Sequence, residues 1–364
     1  MLAMADLLHV YSTFAVGGPQ IRFAAIANHF GRRWRHAVIA MDGDLACRER
    51  LSPGLNVSFP AVDIRKGATL ANVRRFRAFL LAMRPRTLVT SNWGSIEWVM
   101  ASVGTGIRHV HVEDGFGPEE RGRQLARRVL TRRVFLRRRT VVVPSRVLER
   151  IAVGVWGLDP ARVHYVPNGI DLSRFSPRRG VRDGVPVIGT VAALRPEKNL
   201  FRLLDAFAEV VRTHPARLVI VGDGPQRGDL EARAAALGIA ASVTFAGHQA
   251  DPSGHYRDFD IFAISSDTEQ MPISVLEAMA AGLPVAATDV GDIREMLAEE
   301  NSPLVGPGLG ESLRALLANP ALRSTLGSRN RAKAERDYAE GRMFRAYATL
   351  WDPSGHDDAG SDIA

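Results

Sequence analysis

A chain of 364 residues with 46% hydrophobic side chains can bury cores for about two domains, which excludes a single small module. Its one cysteine, Cys47, cannot form an intramolecular disulfide, so nothing is built for an oxidising compartment and the cytoplasm is the expected location. The formal charge is +8, with 44 of 47 basic residues being arginine, which leaves nucleic acid, an anionic membrane face and a phosphorylated small molecule as acidic partners.

Residues 1–10 are a short apolar run broken by Asp6 and His9, without a basic leader, so neither a signal peptide nor a spanning helix is expected. Residues 6–11 predict a first strand, 12–19 a loop, and 20–30 a helix. Further strands are predicted at 36–41, 87–91, 108–112 and 140–144. Residues 167–186 are dense in Pro, Asn, Gly and Arg, the composition of an interdomain linker. In the C-terminal half, Val-, Ile- and Ala-rich runs at 187–192, 218–221, 243–245, 261–264 and 285–287 read as buried strands. Helices at 200–213, 228–237 and 273–281 alternate with them, and Pro272 suits a first helical turn. This alternation implies an α/β fold with doubly wound parallel sheets and ligand crevices at the strand carboxyl ends. Two Rossmann-like domains facing across a cleft follow: 1–170, a linker 171–186, and 187–327. A helix over 328–351 is expected to cross back to the N-terminal domain, before a small, polar tail at 352–364 that lacks order.

The most specific segment is Glu269-Gln-Met-Pro-Ile-Ser-Val-Leu-Glu277, followed by Ala-Met-Ala-Ala-Gly-Leu-Pro-Val. One carboxylate lies at a strand-to-helix turn and the other inside the helix. Free amides at a helix start favour a phosphate, and carboxylates nearby accept hydrogen bonds from sugar hydroxyls. A nucleotide sugar carries both groups. Two glutamates at arbitrary spacing are more often a solvated helix face, so the surrounding sequence decides.

That sequence resembles the retaining glycosyltransferases of family 4, which have the GT-B fold and a Glu-x7-Glu signature in a similar Pro-x-x-x-Leu-Glu-Ala-Met-Ala-x-Gly-x-Pro-Val run. The similarity continues in Val166-Pro-Asn-Gly-Ile-Asp171, Arg195-Pro-Glu-Lys-Asn199, Val221-Gly-Asp-Gly-Pro225, Phe245-Ala-Gly247 and Thr288-Asp-Val-Gly291, dense from about residue 165 to 297. The resemblance implies that Glu277 holds the ribose hydroxyls, that Glu269 contacts the donor sugar, and that Lys198 neutralises the departing diphosphate. It places Gln270, Met271 and Ser274 at the donor as well, and Gly17 and Gly18 in a loop that closes on the diphosphate. His111 resembles the histidine near the acceptor face and the anomeric carbon. The implied catalytic set is therefore Glu269, Lys198 and His111, with no cofactor, no catalytic metal, and the nucleotide-diphosphate sugar as substrate.

Lysine is a compact point charge suited to a developing phosphate charge, and only three lysines occur in the chain. The family arginine five residues before it is Ala193 here, and Arg195 either supplies that charge or is a loop arginine. Gln270 stands where glycine is common. The Asp42-Gly-Asp44 pair, remote from the donor loops, reads as a turn rather than a metal site.

Nine arginines fall between Arg121 and Arg139, interleaved with Leu125, Val129, Leu130, Val134, Phe135 and Leu136, and no acidic residue intervenes before Leu148. This spacing predicts an amphipathic helix with a cationic face, which either rests peripherally on an anionic inner leaflet or is packed with its arginines solvated. The former favours a lipid-linked or surface-polysaccharide acceptor. Rival readings are a silent nucleotide-sugar binder, which Ala193 keeps open, and an epimerase of the same architecture, for which no proton-abstracting pair is visible. A nicotinamide dehydrogenase lacks its Gly-x-Gly-x-x-Gly, since Val16-Gly-Gly-Pro-Gln does not fit. No nucleic-acid partner is expected, because no helix-turn-helix, zinc spacing or aromatic RNA-binding signature accompanies the arginines.

Overall fold

The computed structural model describes residues 5–353 except 66, 117–119, 121–123, 178–183 and 307. The expected tail from residue 354 onward, Arg121 and Arg123 of the basic stretch, and the middle of the expected linker lie outside the described residues.

The chain divides into two compact units, one of Met1–Pro167 with the segment from Met343 onward, the other Asn168–Arg342. The N-terminal unit contains β1 (Leu7–Tyr11), α1 (Gly18–Phe30), β2 (His36–Ala40), β3 (Val57–Ser58), α2 (Thr69–Met83), β4 (Thr87–Ser91) and α3 (Ile96–Ala101). It continues with β5 (Arg108–Val112), α4 (Ala126–Leu136), β6 (Thr140–Val143), α5 (Arg146–Gly154) and β7 (Val163–Tyr165). The second unit opens with β8 (Val187–Val191), α6 (Leu200–Val211), β9 (Arg217–Val221), α7 (Arg227–Ala236), β10 (Val243–Gly247), α8 (Ser253–Asp258) and β11 (Ile261–Ile264). It ends with α9 (Ile273–Ala280), β12 (Val285–Ala287), α10 (Ile293–Met296), α11 (Leu309–Ala318) and α12 (Pro320–Asp337), and α13 (Glu340–Trp351) follows.

Both sheets are parallel. Their strand orders are β3-β2-β1-β4-β5-β6-β7 and β10-β9-β8-β11-β12. Burial on both faces explains the near-continuous apolar strands. In β11, Phe262 and Ile264 enter the core beneath α9, while Ile261 and Ala263 enter the core beneath α6 and α11. Order reverses between β1 and β4 in one sheet and between β8 and β11 in the other. Ligand crevices in such sheets form at these reversals, beyond the strand carboxyl ends.

The expected helix over 328–351 is two helices. Between α12 and α13 the backbone at Tyr338–Glu340 bonds Ile170 instead, with Ile170 N donating to Tyr338 O at 2.8 Å and Glu340 N to Ile170 O at 3.2 Å. Beyond that break Phe344, Tyr347 and Trp351 join the N-terminal core with Phe23 and Trp34, and Thr87 Oγ1 donates to Trp351 O at 2.7 Å. The beginning of the expected linker is equally tied down, since Ile170 and Phe175 are buried in the second unit's core.

The basic stretch is only in part the expected cationic face, since not all of its arginines are solvated. Helix α4 turns Arg128 and Arg132 inward, the latter only 1% exposed. Arg132 Nε donates to Glu113 Oε2 at 3.0 Å and Arg128 Nη1 to Glu120 Oε2 at 2.9 Å. The guanidinium of Arg132 lies 5.2, 5.3 and 4.9 Å from the ring centroids of Trp93, Phe116 and Trp156. The pairing acids precede the stretch, which is why composition within it did not reveal them. The outer side carries Arg127, Arg137 and Arg138 together with Leu130 and Val134, 61% and 57% exposed. No helix among the described residues is long and apolar enough to cross a membrane.

Candidate functional site

In the second unit, the loops after β8 and β11 meet at the sheet's reversal point. Lys198 closes a tight turn over Pro196–Lys198, and Asn199, at φ 43°, caps α6. Asp267 N donates to Glu197 O at 2.9 Å, Ser265 Oγ to Lys198 O at 3.0 Å, and Asn199 Nδ2 to Asp267 Oδ1 at 3.0 Å. These bonds join the two loops, so the position of Lys198 is fixed relative to the loop that carries Glu269.

Lys198 Nζ lies 2.6 Å from Glu269 Oε1, and Ser266 Oγ donates to the same oxygen at 2.7 Å. The ammonium is partly exposed and the carboxylate largely covered. Thr288 Oγ1 donates to Ser266 O at 2.7 Å, and Asp292 N to Gln270 O at 2.9 Å, so the loop before α10 supports both residues. Ser274, in the first turn of α9, lines the same small cavity as Lys198, Glu269 and Thr190. Pro272 stands one residue before the helix rather than within it.

Glu277 lies on α9, eight residues beyond Glu269. Tyr256 Oη donates to Glu277 Oε2 at 2.7 Å. Burial pushes the Glu277 carboxyl up to about 7, opposed by that hydrogen bond and by the charge of Arg174, while Asp251 adds to the rise. Arg174 and Asp251 themselves pair at 2.8 Å.

One expected donor residue is placed differently. Met271 is 5% exposed, its side chain turned into the core with Sδ accepting from Asn168 N at 3.2 Å, so its backbone rather than its thioether borders the site. Arg195 is exposed and makes no side-chain ion pair among the described residues, and Ala193 is exposed beside it.

In the N-terminal unit Gly17 caps α1 in an extended conformation and Gly18 is already the helix's first residue, so the loop ends earlier than expected. A Cβ on Gly17 would stand 2.8 Å from Gln20 Oε1. His111, expected near the acceptor face, is covered. It is 0% exposed, its Nδ1 shares a 2.8 Å hydrogen bond with Thr90 Oγ1, and its Nε2 lies 3.6 Å from Glu113 Oε2. The ring therefore presents no surface to a substrate in this conformation. Period-two alternation puts His109 and His111 on one face of β5, where both reach Thr90. Instead, Asp114 stands at the strand's exit, paired with Arg22 of α1 at 2.7 Å, while Asn92 Oδ1 accepts from Asp114 N at 2.6 Å.

Sequence reasoning missed Ser266, Tyr256 and the Arg22–Asp114 pair. Ser266 was the most accessible of these, since it stands two residues after a buried strand and precedes Glu269 by three positions.

Two family descriptions match consecutive parts of the chain: "Glycosyltransferase Family 4" over residues 16–174 and "Glycosyl transferases group 1" over 173–333. A D-inositol 3-phosphate glycosyltransferase of Kineococcus radiotolerans is 28% identical over 266 residues, covering 63% of this chain and 60% of the relative. A GDP-mannose-dependent alpha-mannosyltransferase of Mycobacterium tuberculosis is 35% identical over 154 residues, covering 40% and 39%. The chain thus spans about two fifths to three fifths of these relatives' lengths. Anabaena Alr3699/HepE in complex with UDP superposes with a TM-score of 0.79 at 18% identity, covering 96% of this chain and 100% of that one, a likeness of fold. With both family segments present in order on two parallel α/β sheets, the chain belongs to the family 4 glycosyltransferases and has their GT-B type of fold.

Proposed function

We propose that the protein is a metal-independent, retaining glycosyltransferase that moves a hexose from a nucleotide-diphosphate sugar to a glycan, lipid-linked or polysaccharide-intermediate acceptor. The observation that carries this reading is the 2.6 Å pair of Lys198 and Glu269 at the β8–β11 reversal, beside the start of α9 and one helical segment from Glu277. Family membership supports the sugar-nucleotide chemistry, and retention follows from the resemblance of the signature segment.

The geometry suggests how the site works. Without donor, the Lys198 ammonium is neutralised by Glu269. A diphosphate entering at the α9 amides competes for the ammonium and frees the carboxylate for hydroxyls of the sugar. Glu277 accepts from the ribose hydroxyls with the oxygen that Tyr256 does not occupy. As the bond from the anomeric carbon to the phosphate oxygen breaks, Lys198 stabilises the charge on the departing diphosphate. The acceptor oxygen bonds to the same face of the anomeric carbon, and its proton passes to the leaving phosphate oxygen. No enzyme nucleophile is used. His111 is assigned no direct step, because its ring is covered.

The test is a thermal-shift panel of uridine, guanosine and adenosine diphosphates and their sugars, followed by proton NMR of the product formed from the best binder. A binder raises the unfolding midpoint with concentration over Kd. Transfer with the anomeric configuration of the donor, insensitive to EDTA and abolished in Glu269→Ala, is expected. No shift with any nucleotide would overturn the reading. Donor binding without transfer or hydrolysis would instead favour a silent nucleotide-sugar binder, the alternative that Ala193 keeps in view.

Contact with an anionic membrane is proposed on a separate observation, the exposed Leu130 and Val134 of α4 with Arg127 before them and Arg137 and Arg138 just beyond the helix end. Each such arginine near an anionic surface contributes about 1 kcal/mol. Co-sedimentation with phosphatidylglycerol vesicles, weakened by salt and by Leu130→Glu, is expected. Equal binding to neutral vesicles would refute the electrostatic part.

A further inference from the structure

Tyr256 has no place in the sequence motif, yet its hydroxyl is the hydrogen-bond donor that the structure aims at Glu277. It sits on α8 at 1% exposure, with its ring stacked on Phe262 at 5.7 Å and edge-on to Phe175 and Phe259 at 5.5 and 5.6 Å. Three aromatic neighbours leave the ring no alternative rotamer without opening the core. Its Oη reaches two acceptors, Glu277 Oε2 at 2.7 Å and Ser274 O at 3.2 Å. A phenol has one proton, so it donates to one of these at a time.

We propose that Tyr256 is a positioning residue for donor binding: it holds Glu277 ionised and oriented, with one carboxylate oxygen occupied and the other left for the ribose hydroxyls. The inference rests on the reading of Glu277 as the ribose contact.

The chemistry follows from the proton count. An ionised Glu277 accepts from the phenol and from a ribose hydroxyl together. A protonated Glu277 must place its own hydrogen, and the phenol then turns to Ser274 O, which removes the lock on the carboxyl orientation. The surroundings make this choice delicate. Burial favours the neutral acid and Asp251 adds to that, whereas Tyr256 and Arg174 favour the carboxylate, and the group titrates at about 7. Asp251 is in turn paired with Arg174, so the two charged neighbours largely offset each other. The hydrogen bond from the Tyr256 hydroxyl to the carboxylate is the remaining influence on the carboxylate side. A hydrogen bond to a charged group is about twice as strong as one between neutral groups, so its removal shifts the balance toward the acid.

The test is Tyr256→Phe, which keeps the ring and its packing, compared with Glu277→Gln and the double variant. Wild-type affinity for the nucleotide-diphosphate sugar that binds best, whose doubly esterified diphosphate has no proton to lose in this range, is measured by calorimetry from pH 5.5 to 9. Wild-type affinity should rise with pH through about 7. In Tyr256→Phe the rise should move up by about one pH unit, so that affinity falls about fivefold at pH 7, about tenfold at pH 5.5, and recovers at pH 9. kcat at saturating donor should stay within about twofold. In Glu277→Gln binding should be weak and flat with pH, and adding Tyr256→Phe should change nothing further, because the carboxylate it serves is gone.

A structural role alone would lower affinity at every pH, and such a uniform loss overturns the proposal. So does an unchanged pH profile. If Tyr256→Phe fails to fold, wild-type affinity that does not vary between pH 5.5 and 9 overturns the proposal without it. Binding by wild type that Glu277→Gln leaves intact would overturn the ribose assignment as well, and no nucleotide binding by wild type would overturn the proposed function itself.

Discussion

Replacing Gly291 with alanine should damage the site from outside it. Gly291 has φ 58°, and a Cβ built there would lie 2.5 Å from Glu269 O and 2.7 Å from Gln270 O. Carbon and oxygen essentially never approach within 3.0 Å, so the backbone at Glu269 and Gln270 must retreat by about 0.5 Å, in a packed loop with little slack. Two costs add: roughly 1–2 kcal/mol for an alanine in the left-handed region, and about 1–3 kcal/mol for the overpacking. The second also strains the Lys198–Glu269 pair, because the start of the loop that carries Glu269 stays tied to the Lys198 turn through Ser265 and Asp267 while its end at Glu269 and Gln270 is pushed away from Gly291. A misplacement of about 1 Å near the chemistry can remove a hundredfold in rate, so a loss of about 10- to 100-fold in kcat is expected. Gly238→Ala is the control. Its φ is 73° and nothing lies within 4 Å of the added carbon, so it pays the backbone cost alone. Urea unfolding and initial rates of sugar transfer at saturating donor measure the two effects. Gly238→Ala should lose about 1 kcal/mol with kcat unchanged, and Gly291→Ala should lose more stability and most of its rate. Equal behaviour of the two variants would refute the claim that Gly291 sets the position of Glu269.

Lys198→Ala should lower kcat by about 100- to 1000-fold in the same assay, as expected for loss of one charge aimed at a developing anion, while its unfolding midpoint stays near wild type because Ser266 still satisfies Glu269. Arg132→Met should destabilise the N-terminal unit by about 3–5 kcal/mol in urea unfolding, since Glu113 and Glu120 are left buried without its charge. A loss under about 1 kcal/mol would show that the aromatic cage of Trp93, Phe116 and Trp156 suffices. Acid should weaken the same unit through His36, which shares a 3.1 Å hydrogen bond with buried His9. Burial lowers His36 to about 4 from 6.5, so the unfolded chain takes up a proton that the folded one refuses. That stability is fully present above about pH 6.5 and is lost as pH falls to about 4, at most about 3 kcal/mol over the window. A His36→Gln variant should flatten this acid limb, and an unchanged slope would refute the assignment.

The buried strands were legible because both faces of a doubly wound sheet are covered, which writes Val- and Ile-rich runs into the sequence. Short or peripheral strands escaped for the same reason. β3 has two half-buried residues and β7 lies at the sheet edge, with His164 exposed, so neither forms an apolar run. The split between α12 and α13 was illegible because its cause is non-local: Ile170, far back in the chain, supplies the backbone partners that a continuous helix would have used. Polarity misled twice. Arg132 reads as a surface cation, yet the acids that neutralise it stand at 113 and 120, before the stretch begins. His111 reads as a strand-end ligand, yet strand alternation turns it beside His109 into a covered face.

The two candidate regions, one in each unit, therefore differ in what a sequence can disclose. Around Lys198 and Glu269, each strand, turn and helix start is contiguous, and the residues that matter fall within a few positions of a strand's carboxyl end. Local order there dictates the geometry, and only the meeting of two such segments is tertiary. At the exit of β5 the corresponding arrangement joins Asp114 to Arg22 across 92 residues, with Asn92 between them in sequence but not in any motif. Neither partner is remarkable by itself, since a surface aspartate and a helix arginine are common. Their significance lies in a pairing at the reversal of the first sheet, where strand order makes a crevice and a matched charge pair occupies its edge. Lys198 and Glu269 lie 71 residues apart, little nearer than the 92 that separate Arg22 and Asp114, so the first pair was legible because each partner sits in its own contiguous motif segment, which neither Arg22 nor Asp114 does.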